Sequence, residues 1–187
     1  MPIAARELRN CLGRFATGVT VVTASHEQRD HGMTANAFTS VSLDPPLVLV
    51  AVRNEGRIKP LLEGSGRFAV SVLAEDQEAL ALHFSGRTQP GLEIAFGLKE
   101  GLPVITGAVA HLTCSVEQAL PAGDHTLYLG LVEWLWYRDG RPLTFYTGRF
   151  FGLEGAPLDP IELPELEGVS APRLGGPPGH TLVADYP

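Results

Sequence analysis

The chain has few features that would let it grip nucleic acid, cross a bilayer or build a metal centre. Only 14 of its 187 residues are Lys or Arg against 21 Asp or Glu, a formal net charge of −7. The cations are scattered rather than gathered into a stripe, so the electrostatic footprint of a nucleic-acid binder is missing. No apolar run reaches the roughly 18–20 residues that a membrane-spanning helix needs, and the opening MPIAARELRN lacks the apolar core of a secretory signal. These absences describe a cytoplasmic protein with no membrane partner. Two cysteines, Cys11 and Cys114, lie too far apart in sequence for a metal-binding or redox pair and read as reduced, buried small hydrophobes. The six histidines show no local metal-ligand spacing, so no metal site is assigned. Also missing are G-x-G-x-x-G after a strand, a Gly-rich loop ending in Gly-Lys-Ser/Thr, a G-x-S-x-G elbow and a His-Glu-x-x-His pair.

What is present is enough to fold. Hydrophobic residues make up 44% of the chain and charged ones 19%, which supports one sizeable core rather than a disordered chain. Leu8, Leu12 and Phe15 fall on one face of a short N-terminal helix, placed to cover one end of the fold, with Gly18 at the turn out of it. Three apolar, β-branched runs follow, Val19–Ala24, Thr34–Val41 and Leu47–Val52, separated by the polar HEQRDHG and by Asp44-Pro45-Pro46. Ile58–Leu62 reads as a helical turn or two, Arg67–Leu73 as a strand, and Asp76 as the cap of a helix running through His83. Ala108–Gln118 alternates with the period of a half-buried strand. Thr126–Arg138, apolar at most positions, reads as a central strand buried on both faces or shared with a second subunit. Pro142–Thr147 supplies a last short strand. Many short strands and few helices predict a mainly β fold, a closed or nearly closed barrel, because closure removes exposed edges. The barrel domain is assigned to residues 1–154. Residues 155–187, which hold seven of the fifteen prolines, read as an extended Pro/Gly-rich tail.

Three groups of residues carry candidate chemistry. Thr34, Ala35, Asn36, Ala37, Thr39 and Ser40, with Phe38 among them, combine small side chains with hydroxyl and amide groups. Such a strand lets a planar ligand approach the backbone and hydrogen-bond to it, although a polar edge strand has the same composition. Gly123-Asp124-His125 puts an imidazole at the mouth of an apolar strand, either as a ligand contact or as surface decoration. Arg87, after His83-Phe84-Ser85-Gly86, and Arg149, after Tyr146-Thr147-Gly148, could fork onto a phosphate or remain solvated.

The runs RFATGVTVVTA, GMTANAFTSVSLDPPLVLVAV, RFAVSVLAEDQEALALHFSG and CSVEQALPAGDHTLYLGLVE, in that order between about Arg14 and Phe151, resemble the short-chain flavin reductase family. That family includes the reductase partners of two-component flavin-dependent monooxygenases. The resemblance implies an FMN-binding split β-barrel, a homodimer with flavin near the subunit interface, and reduction of FMN or FAD by NADH or NADPH without a dinucleotide-binding domain. Carried residue by residue, it makes Thr34 to Ser40 the flavin strand and Ala51, Val52 and Arg53 the adjoining one. His83, Phe84, Ser85 and Gly86 then fall towards the phosphate or adenylate end, His125 faces the nicotinamide as the catalytic candidate, and Tyr146 and Arg149 are second-rank cofactor contacts. One departure stands out. Family members commonly carry a serine-containing loop where this chain reads Arg53-Asn54-Glu55-Gly56-Arg57, so Arg53, Arg57 or the Gly56 amide would have to replace hydroxyl donors. Two other readings stay open: a flavoprotein that retains its flavin and reduces another acceptor, and a flavin-binding protein without turnover.

Overall fold

The computed structural model describes residues 3–153; the expected tail, residues 155–187, lies outside the described residues. In chain order the elements are α1 (Ala5–Leu12), β1 (Thr17–Gly18), β2 (Thr20–His26), β3 (Arg29–Ala35), β4 (Phe38–Leu43), β5 (Pro46–Arg53), α2 (Lys59–Ser65), β6 (Arg67–Val72), α3 (Glu78–Phe84), β7 (Phe96–Lys99), β8 (Leu102–Ile105), β9 (Ala110–Ala122), β10 (His125–Tyr137), β11 (Leu143–Tyr146) and β12 (Arg149–Gly152). The fold is mainly β, as the strand count in the sequence predicts.

Seven strands form one antiparallel sheet in the order β3-β2-β6-β9-β10-β5-β4, and its two edges are consecutive in the chain. Laid flat, seven strands at ~4.8 Å spacing would hold those edges about 29 Å apart. The chain crosses from Ala35 to Phe38 through Asn36 and Ala37 alone, a reach of at most ~11 Å. The sheet must therefore curl until its edges meet at this corner. The Ala51 amide donates to Ala37 O (3.1 Å) and the Thr20 hydroxyl to Ala35 O (2.8 Å), fixing the corner to both flanking strands. No ladder joins β3 to β4, so the sheet is not closed by hydrogen bonds.

Period-2 alternation sorts the side chains. Val22 and Ala24 of β2, Val48, Val50 and Val52 of β5, Phe68 and Val70 of β6, Cys114 of β9 and Tyr128 of β10 fill the inside of the curl, with Ile58, Leu61 and Leu62 at and within α2 packed against them. The alternate residues Val19, Val21 and Leu73 pack outward against Ala81 of α3, Ile105 of β8 and Leu143 of β11. The Cys114 thiol is pushed up to about 12 by burial, with a further contribution from the charge of Glu133, and is inert. Cys11 is exposed on α1, against expectation.

Several elements differ from the sequence reading for identifiable reasons. HEQRDHG is no separator: Glu27 and Gln28 adopt φ of 50° and 61°, a two-residue hairpin turn, and Arg29 already begins β3. Thr34–Val41 is two strands, not one, broken at the corner. Asp76 does not cap α3; Gln77 anchors its start instead, accepting from the Ala74 amide and donating to Thr106 O. The helix α1 buries none of its residues, and Leu8, Leu12 and Phe15 are exposed rather than covering an end of the fold. In β10 the chain itself buries only one face, so of the two readings of this strand the one with both faces buried within the chain fails. Thr126, Tyr128 and Gly130 point into the core, while Leu127, Leu129 and Leu131 form a half-exposed outward stripe with Leu47 and Leu49 opposite them on β5.

Gly130 is the tightest point inside the curl, because a Cβ there would stand 2.5 Å from the Phe68 ring and 3.0 Å from Cys114 Cβ. Gly130→Ala is expected to cost about 1–3 kcal/mol of overpacking, read as a lower urea midpoint at unchanged m. A midpoint equal to that of the parent chain would contradict this packing.

Candidate functional site

Beside the curled sheet lies a cleft of about 840 Å³, walled by Asp30, His31 and Gly32 of β3, the loop Arg53 to Arg57 after β5, His83 to Gly86 at the end of α3, Thr88, and Phe96 of β7, with Thr23 and Pro103 at its base. Local packing explains why these segments converge. The Thr34 hydroxyl donates to Ala81 O (2.7 Å), tying β3 to α3. Gly32 lies directly under Phe84, where a Cβ would come within 2.8 Å of the ring, so only glycine lets α3 approach this closely. Phe84 meets the His83 ring edge-on at 5.2 Å and the Phe96 ring at 6.2 Å, forming an aromatic wall. The Gln89 amide donates to His83 Nδ1 (3.4 Å).

A second network holds the loop after β5 to the turn before β10. The Asn54 amide donates to Asp124 O (3.0 Å), its side-chain amide donates to Gly123 O (3.1 Å), and its Oδ1 accepts from the Thr126 hydroxyl (2.8 Å). His125 lies opposite Arg53 in the ladder, and its Nδ1 is 2.7 Å from Asp124 Oδ1. A smaller concavity between Arg53, Asn54, Glu55 and Asp124 adjoins this turn, so Arg53 borders both spaces. The Gly56 amide, one candidate phosphate donor, is already used by Arg53 O at 2.8 Å.

The expected site residues therefore fall in three places. Arg53, His83, Phe84, Ser85 and Gly86 line the cleft. Thr34 and Ala35 end β3, Asn36 and Ala37 form the corner with Ala51 beside Ala37, Phe38 packs on the core, and Thr39 and Ser40 are exposed on β4 opposite Leu49 and Val48; Val52 is buried in the core and His125 stands on the adjoining turn. Tyr146 and Arg149 face each other across the β11–β12 hairpin and border neither concavity. Sequence reasoning missed His31, Gly32, Thr88 and Phe96. The first two were hidden because HEQRDHG resembles a loop, and its Glu27-Gln28 hairpin turn carries no glycine to announce a tight turn.

Residues 12–154 match the family model described as flavin reductase like domain. The chain belongs to this family. An NADH-dependent flavin reductase of Rhodococcus sp. is 51% identical over 150 residues, covering 79% of this chain and 85% of its own length. The reductase component of a Thermus thermophilus 4-hydroxyphenylacetate 3-monooxygenase is 45% identical over 139 residues, 74% of this chain and 89% of the relative. Among solved structures, the flavin reductase PheA2 superposes with a TM-score of 0.79 at 40% identity, over 82% of this chain and 100% of that one.

In this flavin reductase-like chain the charges around the cleft do not neutralise one another. Neither Arg53 nor Arg57 has a carboxylate within 4.0 Å among the described residues, although Asp30 and Glu55 share the lining. The field is felt by His31, whose pKa is held below 6.5 first by burial and then by the Arg57 guanidinium. Asp124 is held below the usual carboxylate range by the hydrogen bond and charge of His125.

Because the native state lowers the His31 pKa, it binds fewer protons than the unfolded chain as the pH falls through 6.5. His31 therefore withdraws stability between 6.5 and its folded value and is neutral above that window. NMR titration should place its midpoint below 6.5, and a bound phosphate-bearing ligand should move the midpoint up by adding negative charge. A midpoint that ignores FMN or FAD would mean that His31 does not face the ligand.

Proposed function

We propose that this chain is an NADH-dependent flavin reductase that reduces FMN or FAD and supplies the reduced flavin to a partner monooxygenase. The observation that carries the reading is the pair of unpartnered guanidiniums, Arg53 and Arg57, beside the sheet corner of a flavin reductase-like domain. In a chain of net charge −7 these two provide the local attraction that an anionic, phosphate-bearing cofactor needs. Relatives named as NADH-dependent flavin, FMN and FAD reductases and as monooxygenase reductase components support the same activity.

The finer assignments follow from this reading. The curled sheet is the family's split β-barrel, within a reductase domain spanning residues 1–154. Two copies pair through the outward stripe of Leu47, Leu49, Leu127, Leu129 and Leu131, whose apolar surface a second subunit would remove from water. The protein works in the cytoplasm.

Bound flavin supplies the redox chemistry, accepting a hydride from the nicotinamide. The residues of the chain bind and orient. Asn36, Ala37, Thr39 and Ser40, with the exposed backbone of the corner, offer hydrogen bonds to a planar ring, and Arg53 and Arg57 hold phosphate oxygens. Ionised Asp124 can only accept, so the 2.7 Å contact assigns the proton to His125 Nδ1. Nε2 is left as an acceptor in the neutral imidazole, suited to the N–H of a nicotinamide carboxamide. The role of His125 is to orient the donor, with no proton transfer in the hydride step.

Anaerobic stopped-flow absorbance tests the activity: NADH should bleach the oxidised band of added flavin in a saturable way. Binding without bleaching would overturn it in favour of a flavin-binding protein. His125→Ala should cost about tenfold in hydride-transfer rate or in NADH KM, the worth of one hydrogen bond of about 1.4 kcal/mol. No change in either would remove His125 from the site.

A further inference from the structure

One residue of the arginine loop stands apart from the cleft. Arg53, Glu55, Gly56 and Arg57 line it, whereas Asn54 borders only the smaller concavity beside the β9–β10 hairpin. The tip of that hairpin has little else to hold it. The last six residues of β9, 117–122, are exposed, and β6 accompanies β9 only as far as the pair Arg67 and Ser115. On the other side the ladder between β5 and β10 ends at Arg53 opposite His125. The turn between β9 and β10 is the pair Gly123-Asp124, with Gly123 at φ 63°. Both of its carbonyls accept from Asn54: Asp124 O from the backbone amide (3.0 Å) and Gly123 O from the side-chain amide (3.1 Å). Asn54 Oδ1 accepts in turn from the hydroxyl of buried Thr126 (2.8 Å). Three hydrogen bonds from one residue therefore bracket His125 on both sides in sequence. A planar amide can donate to the turn and accept from Thr126 at once, which a carboxylate cannot do.

We infer that Asn54 is a positioning residue: by holding Gly123, Asp124 and Thr126 it fixes the His125 imidazole relative to the Arg53 to Arg57 loop, and so the nicotinamide relative to the flavin. The kinetic consequence rests on the reductase reading. Hydride transfer is sensitive to a misplacement of about 1 Å in the groups that orient the reactants. The Asn54 amide is committed to the turn, so it acts on the reaction through His125.

The test is a double-mutant cycle in the full chain, read by anaerobic stopped flow with FMN and NADH. Asn54→Ala should lose about three- to tenfold in the same parameter that His125→Ala moves, hydride-transfer rate or NADH KM, with FMN affinity held within about twofold. In the His125→Ala background Asn54→Ala should cost nothing further, because its effect passes through that ring. Thr126→Val, which keeps the volume but removes the hydroxyl, should lose about threefold, and Thr126→Ser should restore the parent value. A thermal melt of each variant separates lost positioning from lost folding. Losses that multiply in the double variant, a loss confined to FMN affinity, parent kinetics in a folded Asn54→Ala, or a Thr126→Val no different from Thr126→Ser would each overturn the role. A parent chain that bleaches no flavin removes the reductase reading alone. Hydrogen exchange at the amides of residues 123–126 then decides the hold of Asn54 on the turn, faster exchange in Asn54→Ala upholding it and unchanged exchange overturning it.

Discussion

Two residues, Asn36 and Ala37, connect opposite edges of a seven-stranded sheet, and that short span constrains everything around them. A connection of this length tolerates no flat sheet, so curling is imposed by covalent reach before any side chain is considered. The curl creates an interior that Phe68, Tyr128 and the valines of β5 fill, with α2 packed against them. It also fixes where function can be: the corner brings Ala37 to Ser40 against β5, and β5 leads directly into the Arg53 to Arg57 loop. That loop is in turn tied through Asn54 to the turn carrying His125. Core, corner and proposed site are consequences of one connection.

Charge works at a different scale from packing. The chain as a whole is acidic, yet the cleft presents two guanidiniums without a carboxylate partner among the described residues, and the pKa of His31 beside them is lowered by burial and then by Arg57. A surface that repels anions in bulk and attracts them at one place favours recognition by position rather than by net attraction. The loss of hydroxyl donors from the loop after β5 fits the same picture. Arg53 and Arg57 are the donors that the proposed site offers there in place of hydroxyls, and the Gly56 amide is withdrawn into the loop's own hydrogen bond.

Much of this was legible in the sequence, and what was not has physical causes. Period-2 alternation and turn residues reveal a mainly β chain, and the order of four motifs reveals the family. The long hairpin strand after Gly123-Asp124 is readable from its apolar run, but its one-sided burial is not, because leucines alternating with Thr126, Tyr128 and Gly130 resemble a strand covered on both faces. The hairpin at Glu27-Gln28 escapes notice because both residues adopt positive φ without a glycine. Thr34–Val41 reads as one strand because composition does not register the break that topology imposes. His31 and Phe96 enter the cleft from segments distant in sequence, and Gly32 matters only because Phe84 lies on it. The exposure of Leu8, Leu12 and Phe15 shows the converse: an amphipathic pattern fixes a helix face but not what covers it.

The central claim is spatial, that flavin lies where the sheet edges meet and extends towards the arginine loop. Mapping backbone amide chemical shifts during titration with FMN addresses it most directly. The account predicts perturbations concentrated at residues 36–40, 51–57 and 83–86, with the amides of β11 and β12 unmoved. Perturbations centred on β11 and β12, with the corner unaffected, would contradict it.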